Sequence, residues 1–287
     1  MSKPKILLQL DTDEQPSVFD SVVAIDAGVD HLLRHHAITA GNVRDRVHGA
    51  IFTRGPDDLH RTALFIGGSD VARGEEVLGA ITAAFIGPLR ASVMIDSGGA
   101  NTTAAAAVLA AAKHVELAGA TALVLAATGP VGQRVAWLLA REGAAVRAAS
   151  RRLDRAESVC QAIVQKTAAA RIVACTANNP AELDASLADA TVVFACGAAG
   201  IELLPAEAIA RAKSLRAAID LNAVPPLGIA GVKVTDKAVE RNGVTYYGAI
   251  GVGGTKMKIH KAAVKALFEA NDRILDAPEI FQIGRDL

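Results

Sequence analysis

A glycine turn at Thr128–Gly132 has the residue types and spacing to bind a phosphate. It lies between an apolar run, Thr121–Ala127, and a helical pattern. In such a strand–turn–helix unit, Gly129 lets the backbone approach a pyrophosphate and Gly132 lets the helix pack close to the strand. The free N–H groups of the helix N-terminus then bind the phosphate. We therefore predict a dinucleotide site formed by Thr128, Gly129, Pro130, Val131 and Gly132.

The strand after this helix, Ala144–Ala149, ends in Ser150, Arg151 and Arg152. An NAD site usually carries an acidic residue about 20 residues beyond the glycines, for the ribose 2′-hydroxyl. A hydroxyl and two cations instead favour a 2′-phosphate, so NADP is the predicted cofactor. Ala127 replaces the first glycine of the usual pattern. The alternative is a packing turn followed by two solvated arginines.

Polar loops after other predicted strands are candidates for a second ligand. Ser17, Phe19 and Asp20 follow the strand Ile6–Leu10 and could hold a polar heterocycle, with the ring of Phe19 packed on it. Alternatively, Ser17 is a helix N-cap and Asp20 complements the helix dipole. Asn222 follows a later strand and is placed with the cofactor, because ligands bind beyond the carboxyl ends of parallel strands.

The segment Asp96–Thr103 lies between a strand and an alanine-rich helix, for which Asn101 or Thr102 is a plausible N-cap. We expect Asp96 and Asn101 to line a cleft between two domains, the alternative being a cap and a hinge. Lys256 and His260 follow the glycine-rich segment 251–254 and share one helix face, so one of them could meet an anionic or carbonyl group. For Lys258 a solvated position is favoured.

Composition excludes several classes of protein. The formal net charge of zero over 287 residues argues against a nucleic-acid partner. The three cysteines and the scattered histidines have no metal-ligand spacing, so we expect no metal. No signal peptide and no run of ~18 apolar residues are apparent, which predicts a cytoplasmic protein that does not enter a membrane.

Strand and helix patterns alternate along the whole chain, which indicates parallel strands joined by crossover helices. The predicted fold class is α/β with two domains: a Rossmann-type NADP-binding domain, a smaller α/β substrate domain, and a cleft between them. Asn42 is a plausible cap for a helix that extends to His48.

Five segments in this order together resemble the bacterial NAD(P)-dependent methylene-tetrahydromethanopterin dehydrogenases, and most closely the NADP-dependent branch. They are 10–20, 96–104, 128–132, 222–229 and 253–260. The resemblance implies a substrate domain of residues 1–101 plus 257–287 and an NADP-binding domain of residues 102–256. It also implies a homo-oligomer, either a dimer or a trimer.

The reaction implied by this resemblance is oxidation of a methylene bridge to a methenyl cation, with hydride passing to NADP⁺. The carrier is tetrahydromethanopterin, and some members of the family also accept methylene-tetrahydrofolate. Lys256 would be the catalytic residue that orients the substrate. Ser17, Phe19, Asp20, Asp96 and Asn101 would line the pterin site.

Two other functions are compatible with the residues. A shikimate-type dehydrogenase would need a Lys/Asp pair to move a proton, and Asp96 with Lys256 could form one. A non-catalytic NADP-sensing regulator would bind the nucleotide without turnover. The polar loops after the strands argue against a regulator, because a sensor needs no second ligand site.

Overall fold

The computed structural model describes residues 3–287. The chain forms two compact units. The N-terminal unit contains the chain up to Thr102 together with Met257–Leu287, and the central unit contains Thr103–Lys256.

Strands and helices alternate strictly up to the first crossing between the units. The elements are β1 (Ile6–Asp11), α1 (Val18–Asp26), β2 (His31–His35), α2 (Arg44–Phe52), β3 (Thr62–Gly67), α3 (Val71–Ala84), β4 (Ser92–Ile95) and α4 (Ala100–Ala112).

The same alternation continues through the central unit and ends in a hairpin. The elements are β5 (Thr121–Leu125), α5 (Pro130–Arg141), β6 (Ala145–Ala149), α6 (Leu153–Lys166), β7 (Arg171–Cys175), α7 (Pro180–Leu187), β8 (Val192–Ala195), α8 (Ala206–Arg211), β9 (Ala217–Asp220), β10 (Lys237–Arg241) and β11 (Val244–Tyr247). The long helix α9 (Ala249–Ala266) then leads to β12 (Ile274–Leu275) and α10 (Ala277–Arg285).

The sheet of the N-terminal unit has the order β12-β4-β3-β1-β2, and all its strands are parallel. Nearly every residue of β1, β3 and β4 is buried, as expected for parallel strands covered by helices on both faces. The edge strand β2 is mostly exposed. The strand order reverses between β1 and β3, so a crevice for a ligand is expected beyond their carboxyl ends.

The sheet of the central unit has the order β10-β11-β9-β8-β5-β6-β7. Counted from β5, the six parallel strands follow the 3-2-1-4-5-6 order of dinucleotide-binding folds. This confirms the predicted Rossmann-type α/β class. The strand β10, which pairs antiparallel with β11, was not predicted.

Two local predictions were wrong. Asn42 does not cap α2, which begins at Arg44, because the Asn42 side chain instead bonds the backbone of Thr39 and Ala37. Neither Asn101 nor Thr102 caps α4, which already begins at Ala100.

The glycine-rich segment 251–254 lies inside α9, which begins at Ala249. A Cβ on Gly251 would lie 1.8 Å from the carbonyl oxygen of Asp236. Glycine at this position therefore lets the first turn of α9 pack directly on backbone.

Within residues 3–287, no helix is long and apolar enough to span a membrane, and no cluster of three potential metal ligands occurs. Cys160, Cys175 and Cys196 are free thiols, and burial raises the pKa of each.

A buried carboxylate fixes the hairpin at the end of the central sheet. Asp236 is 5% exposed and accepts two hydrogen bonds from the Arg241 guanidinium, both at 2.8 Å. It also accepts one from the backbone N–H of Lys233. The bonds with Arg241 hold the pKa of Asp236 below its usual range.

We predict that Asp236→Asn lowers the free energy of unfolding by about 2 kcal/mol at neutral pH, because charge-assisted hydrogen bonds are lost. An acid whose folded pKa is depressed stabilises the fold above its unfolded pKa, and this contribution disappears as the pH falls through the folded pKa. The difference between wild type and variant should therefore shrink in acid. Urea unfolding of both proteins across the pH range measures this difference in the free energy of unfolding. Asp184→Asn, which removes the exposed pair with Arg211, is the matched control and should cost less than about 1 kcal/mol.

Candidate functional site

The predicted phosphate turn connects β5 to α5 in the central unit. Gly129 is the N-cap residue of α5, and within residues 3–287 the first N–H groups of this helix have no side-chain cap. Pro130 occupies the first helical position, where its missing N–H costs nothing. The N-terminus of α5 therefore offers its backbone N–H groups and the positive end of its dipole to an anion.

Gly132 brings the first turn of α5 against the end of β5. A Cβ on Gly132 would lie 2.5 Å from the carbonyl oxygen of Ala126 and 2.9 Å from the Cα of Ala127. Both neighbours are backbone atoms that cannot move aside. Glycine is therefore required here for close packing of helix on strand.

The departure from the usual glycine pattern is accommodated at Ala127. This residue is fully buried, and its N–H donates to the carbonyl of Ala149 at 2.9 Å. The left-handed backbone conformation falls on Ala126, with φ of 58°. The turn thus keeps its shape without a glycine at position 127, at the cost of strain at Ala126.

The two arginines after β6 differ in their surroundings. The Arg152 guanidinium is engaged by Asp154, with Nε–Oδ1 and Nη2–Oδ2 distances of 3.1 and 2.5 Å. Arg151 is exposed, and within the described chain its guanidinium has no hydrogen-bond or ion-pair partner. The Ser150 hydroxyl lies 3.5 Å from that of Thr128. Of the two predicted arginines, Arg151 is therefore the one available to a 2′-phosphate.

Asn222 is committed to its own loop. Its Oδ1 accepts from Val224 N and its Nδ2 donates to Pro226 O. The neighbouring Asp220 is fully buried at the end of β9 and accepts the N–H groups of Asn222 and Ile229. Burial raises the pKa of Asp220, although these bonds oppose the shift. The side chain of Asn222 thus shapes the loop.

In the N-terminal unit, a buried carboxylate organises the acidic loop after β1. Asp11 accepts the backbone N–H groups of Asp13 and Ser17, both at 3.0 Å. The Ser17 hydroxyl accepts from Asp20 N, so Ser17 is the N-cap of α1. Phe19 and Asp20 are consequently presented on the first turn of the helix.

His260 on α9 is the residue around which several predicted site residues gather. It is fully buried, and its ring stacks on Phe65 with centroids 5.6 Å apart. The ring of Phe19, 49% exposed, lies 6.3 Å away, and Asp20 lines the same small depression as His260. The ring of Phe19 and the carboxylate of Asp20 therefore lie near the buried imidazole of His260.

Asp96 and Asn101 are largely committed to the fold. Asp96 is 1% exposed and accepts both the N–H and the hydroxyl of Thr102, at 3.0 and 2.6 Å, so it caps the start of α4. Its Oδ2 also lies 3.8 Å from Nδ1 of His260. The Asn101 amide donates to Ile95 O and to Asp276 Oδ1.

Lys256 lies one turn before His260 on α9 and is half-buried, whereas Lys258 is exposed. The structure therefore assembles Phe19, Asp20 and Asp96 around His260, and Ser17 supports them as a cap. Asp11 and Asp220 were not predicted. Each is the last residue of a buried strand. An Asp at the end of an apolar strand pattern is the sequence feature that could have identified them.

A strand order of 3-2-1-4-5-6 and an uncapped helix over a glycine turn define a dinucleotide-binding α/β protein. The ligand-free crystal structure of 5-ketofructose reductase of Gluconobacter sp. strain CHM43 has a similar fold. Its TM-score is 0.53, with 16% identity over 99% of each chain.

Relatives narrow this class to one family. Residues 18–98 match the N-terminal domain of methylene-tetrahydromethanopterin dehydrogenase. The chain is 44% identical to the bifunctional protein MdtA of Methylorubrum extorquens, over 100% of both chains. It is 30% identical to the NAD(P)-dependent methylenetetrahydromethanopterin dehydrogenase of the same organism, over 78% of this chain and 77% of that relative. The chain belongs to the methylene-tetrahydromethanopterin dehydrogenase family, as the resemblance in its sequence indicated.

The contact at Gly132 leads to a direct prediction. Gly132→Ala should lower the free energy of unfolding by about 3 kcal/mol, because the new methyl group overlaps backbone. It should also abolish nucleotide binding by displacing the helix N-terminus. Chemical denaturation and fluorescence titration with NADP⁺ measure the two effects.

Gly79→Ala is the matched control. Gly79 is exposed within α3, and a Cβ there meets nothing within 4 Å. This change should raise stability by about 0.5–1 kcal/mol, since alanine is the better helix former. If Gly132→Ala kept both its stability and its affinity, the close packing would have no role in binding.

Proposed function

We propose that this protein is an NADP-dependent dehydrogenase that oxidises methylene-tetrahydromethanopterin to the methenyl form, and that methylene-tetrahydrofolate is a second possible substrate. The observation that carries the proposal is the full-length likeness to a member of this family at 44% identity. The N-terminal unit would be the substrate domain and the central unit the NADP domain. The working form would be a cytoplasmic homo-oligomer, either a dimer or a trimer.

The residues of the central unit fit NADP. The uncapped N-terminus of α5 suits the pyrophosphate, with Thr128, Gly129, Pro130, Val131 and Gly132 forming the turn beneath it. Ser150 and Arg151 suit the 2′-phosphate, with Arg152 as a secondary cation because Asp154 already engages it. Asn222 would contribute through the loop that its side chain holds in place.

The chemistry requires little acid–base machinery. The reacting carbon lies between two nitrogens whose lone pairs stabilise the developing cation, so the protein need not remove a proton. Bound NADP⁺ supplies the hydride acceptor. The protein then has to hold the pterin carbon in place and exclude water, and orientation of this kind contributes roughly 7–11 kcal/mol.

The N-terminal unit offers groups for this task. The exposed ring of Phe19 can pack on the pterin, and the carboxylate of Asp20 can accept its N–H groups. Lys256, which is the last residue of the central unit and lies one turn before His260 on α9, would orient the substrate. Ser17, Asp96 and Asn101 would hold this surface in place. Ser17 caps α1, and Asp96 and Asn101 make hydrogen bonds to Thr102 and Asp276.

The environment of Asp96 argues against the shikimate-type alternative. That reaction needs a Lys/Asp pair able to exchange a proton with a substrate hydroxyl. Asp96 is 1% exposed, and both its oxygens accept from Thr102. A carboxylate held in this way is a poor proton acceptor for a ligand.

NADP⁺ reduction, followed by nicotinamide absorbance, should proceed with methylene-tetrahydromethanopterin, and the ratio of kcat/KM against methylene-tetrahydrofolate identifies the preferred carrier. Lys256→Met should lower kcat/KM by about one to two orders of magnitude, because an orienting contact is lost. Lys258→Met, exposed on the same helix, is the matched control and should leave it unchanged. Turnover with neither pterin, despite NADP⁺ binding, would refute the proposed activity.

The unequal arginines predict unequal effects on cofactor choice. Arg151→Ala should raise the KM for NADP⁺ about 10- to 100-fold, since charge-assisted bonds to the 2′-phosphate are lost, and should leave the KM for NAD⁺ nearly unchanged. Arg152→Ala should have a smaller effect. Initial rates with both cofactors test this, and equal losses with NAD⁺ and NADP⁺ would show that Arg151 does not contact the 2′-phosphate.

A further inference from the structure

A groove of about 600 Å³ lies in the N-terminal unit between α2 and the edge strand β2. Most of its accessible wall is apolar and comes from residues such as Ile6, Leu8, Leu33 and Ala50. Polar side chains, including those of His35 and Thr53, also line it. The volume is within the range of small-molecule sites. The groove runs to the first residues of β1 and β3, which are the strand ends opposite to the loops of the proposed active site.

Two donors at one end of this groove are buried without a partner. Thr62 is 3% exposed, and within residues 3–287 its hydroxyl makes no hydrogen bond. Nη1 of Arg54 is also buried and makes no hydrogen bond within these residues. Nη2 of the same guanidinium donates to Pro4 O at 3.0 Å. Thr62 pairs with Ile6 across the sheet, and Pro4 is two residues before Ile6, so both donors lie at the same end.

Buried polar groups are almost always hydrogen-bonded, because leaving one unsatisfied costs free energy. A guanidinium N–H beside a hydroxyl is a donor set that suits a carboxylate. Arg46, further along α2, adds positive potential along the groove, and Asp45 partly offsets it. The charge at the buried end is that of Arg54, and the carboxylate of Asp58, which interacts electrostatically with Arg54, partly offsets it.

We propose that this groove is a second ligand site, which binds a small carboxylate with an aliphatic body. The carboxylate accepts hydrogen bonds from Arg54 and Thr62, and the chain lies along Leu8, Leu33 and Ala50. This site is separate from the pterin and nucleotide residues, and it does not depend on the proposed activity.

Isothermal titration of the full-length protein with octanoate tests the proposal directly. We expect saturable binding of one octanoate per chain. Octan-1-ol lacks the charge and acetate lacks the aliphatic body, so each should bind at least about tenfold more weakly. Absence of saturable octanoate binding would refute the site.

Three variants separate the parts of the site. Arg54→Gln and Thr62→Val should each weaken octanoate binding, by about tenfold or more for the arginine. Gly49→Leu should abolish it. Gly49 lines the groove, and a Cβ there meets nothing within 4 Å, so the new side chain fills the cavity. Leucine is also the better helix former, so the fold should persist. Arg73→Gln, an exposed arginine of α3, is the control and should bind as wild type.

Stability distinguishes a ligand-binding hydroxyl from a structural one. Thr62→Val should keep or raise the melting temperature, since the hydroxyl it removes has no partner. A clear fall would show that the hydroxyl serves the fold. If Gly49→Leu bound octanoate as wild type does, the cavity would not be the site. If Gly49→Leu instead split an oligomer on size-exclusion chromatography, a second copy of the chain would be the true occupant, and the proposal would be overturned.

Discussion

Both units depend on the constraint that two parallel strands can be joined only by a crossover connection. Every strand of such a sheet therefore ends at the same edge, and the loops that follow the strands gather there. Where the strand order reverses, neighbouring loops diverge and leave a crevice. In this protein the reversals lie between β1 and β3 and between β5 and β8. The segment with Ser17, Phe19 and Asp20 follows β1, and the glycine turn 128–132 follows β5.

Buried carboxylates at strand ends hold these loops in one conformation through hydrogen bonds. Asp11, Asp96 and Asp220 each follow or end a buried strand and accept backbone N–H groups from the segment that comes next. A carboxylate can accept several such bonds at once, which offsets the cost of removing it from water. Because the loop is fixed, exposed groups that follow it, such as the ring of Phe19, are held in one position.

The glycine turn of the central unit is organised by backbone more than by side chains. Close packing at Gly132 places the N-terminus of α5, and the strain of the turn falls on Ala126. After β6, Asp154 engages the Arg152 guanidinium and does not engage that of Arg151. Two adjacent residues of the same type therefore differ in what they can do for a ligand.

The sequence by itself determined the α/β class, the glycine turn between β5 and α5, and the family, because these depend on local periodicity, glycine spacing and ordered motifs. It did not reveal that Asp96 caps α4, that the glycine-rich segment 251–254 is helical, or that Arg152 is paired with Asp154. Each of these depends on which groups meet after the chain has folded. The Thr102 hydroxyl donates to Asp96, and the carbonyl oxygen of Asp236 lies against Gly251. The carboxylate of Asp154 accepts from Arg152. Nη1 of Arg54 and the hydroxyl of Thr62 have no hydrogen-bond partner within residues 3–287. These donors are likewise visible only in the tertiary structure, since they lie on different elements and meet at one end of a groove.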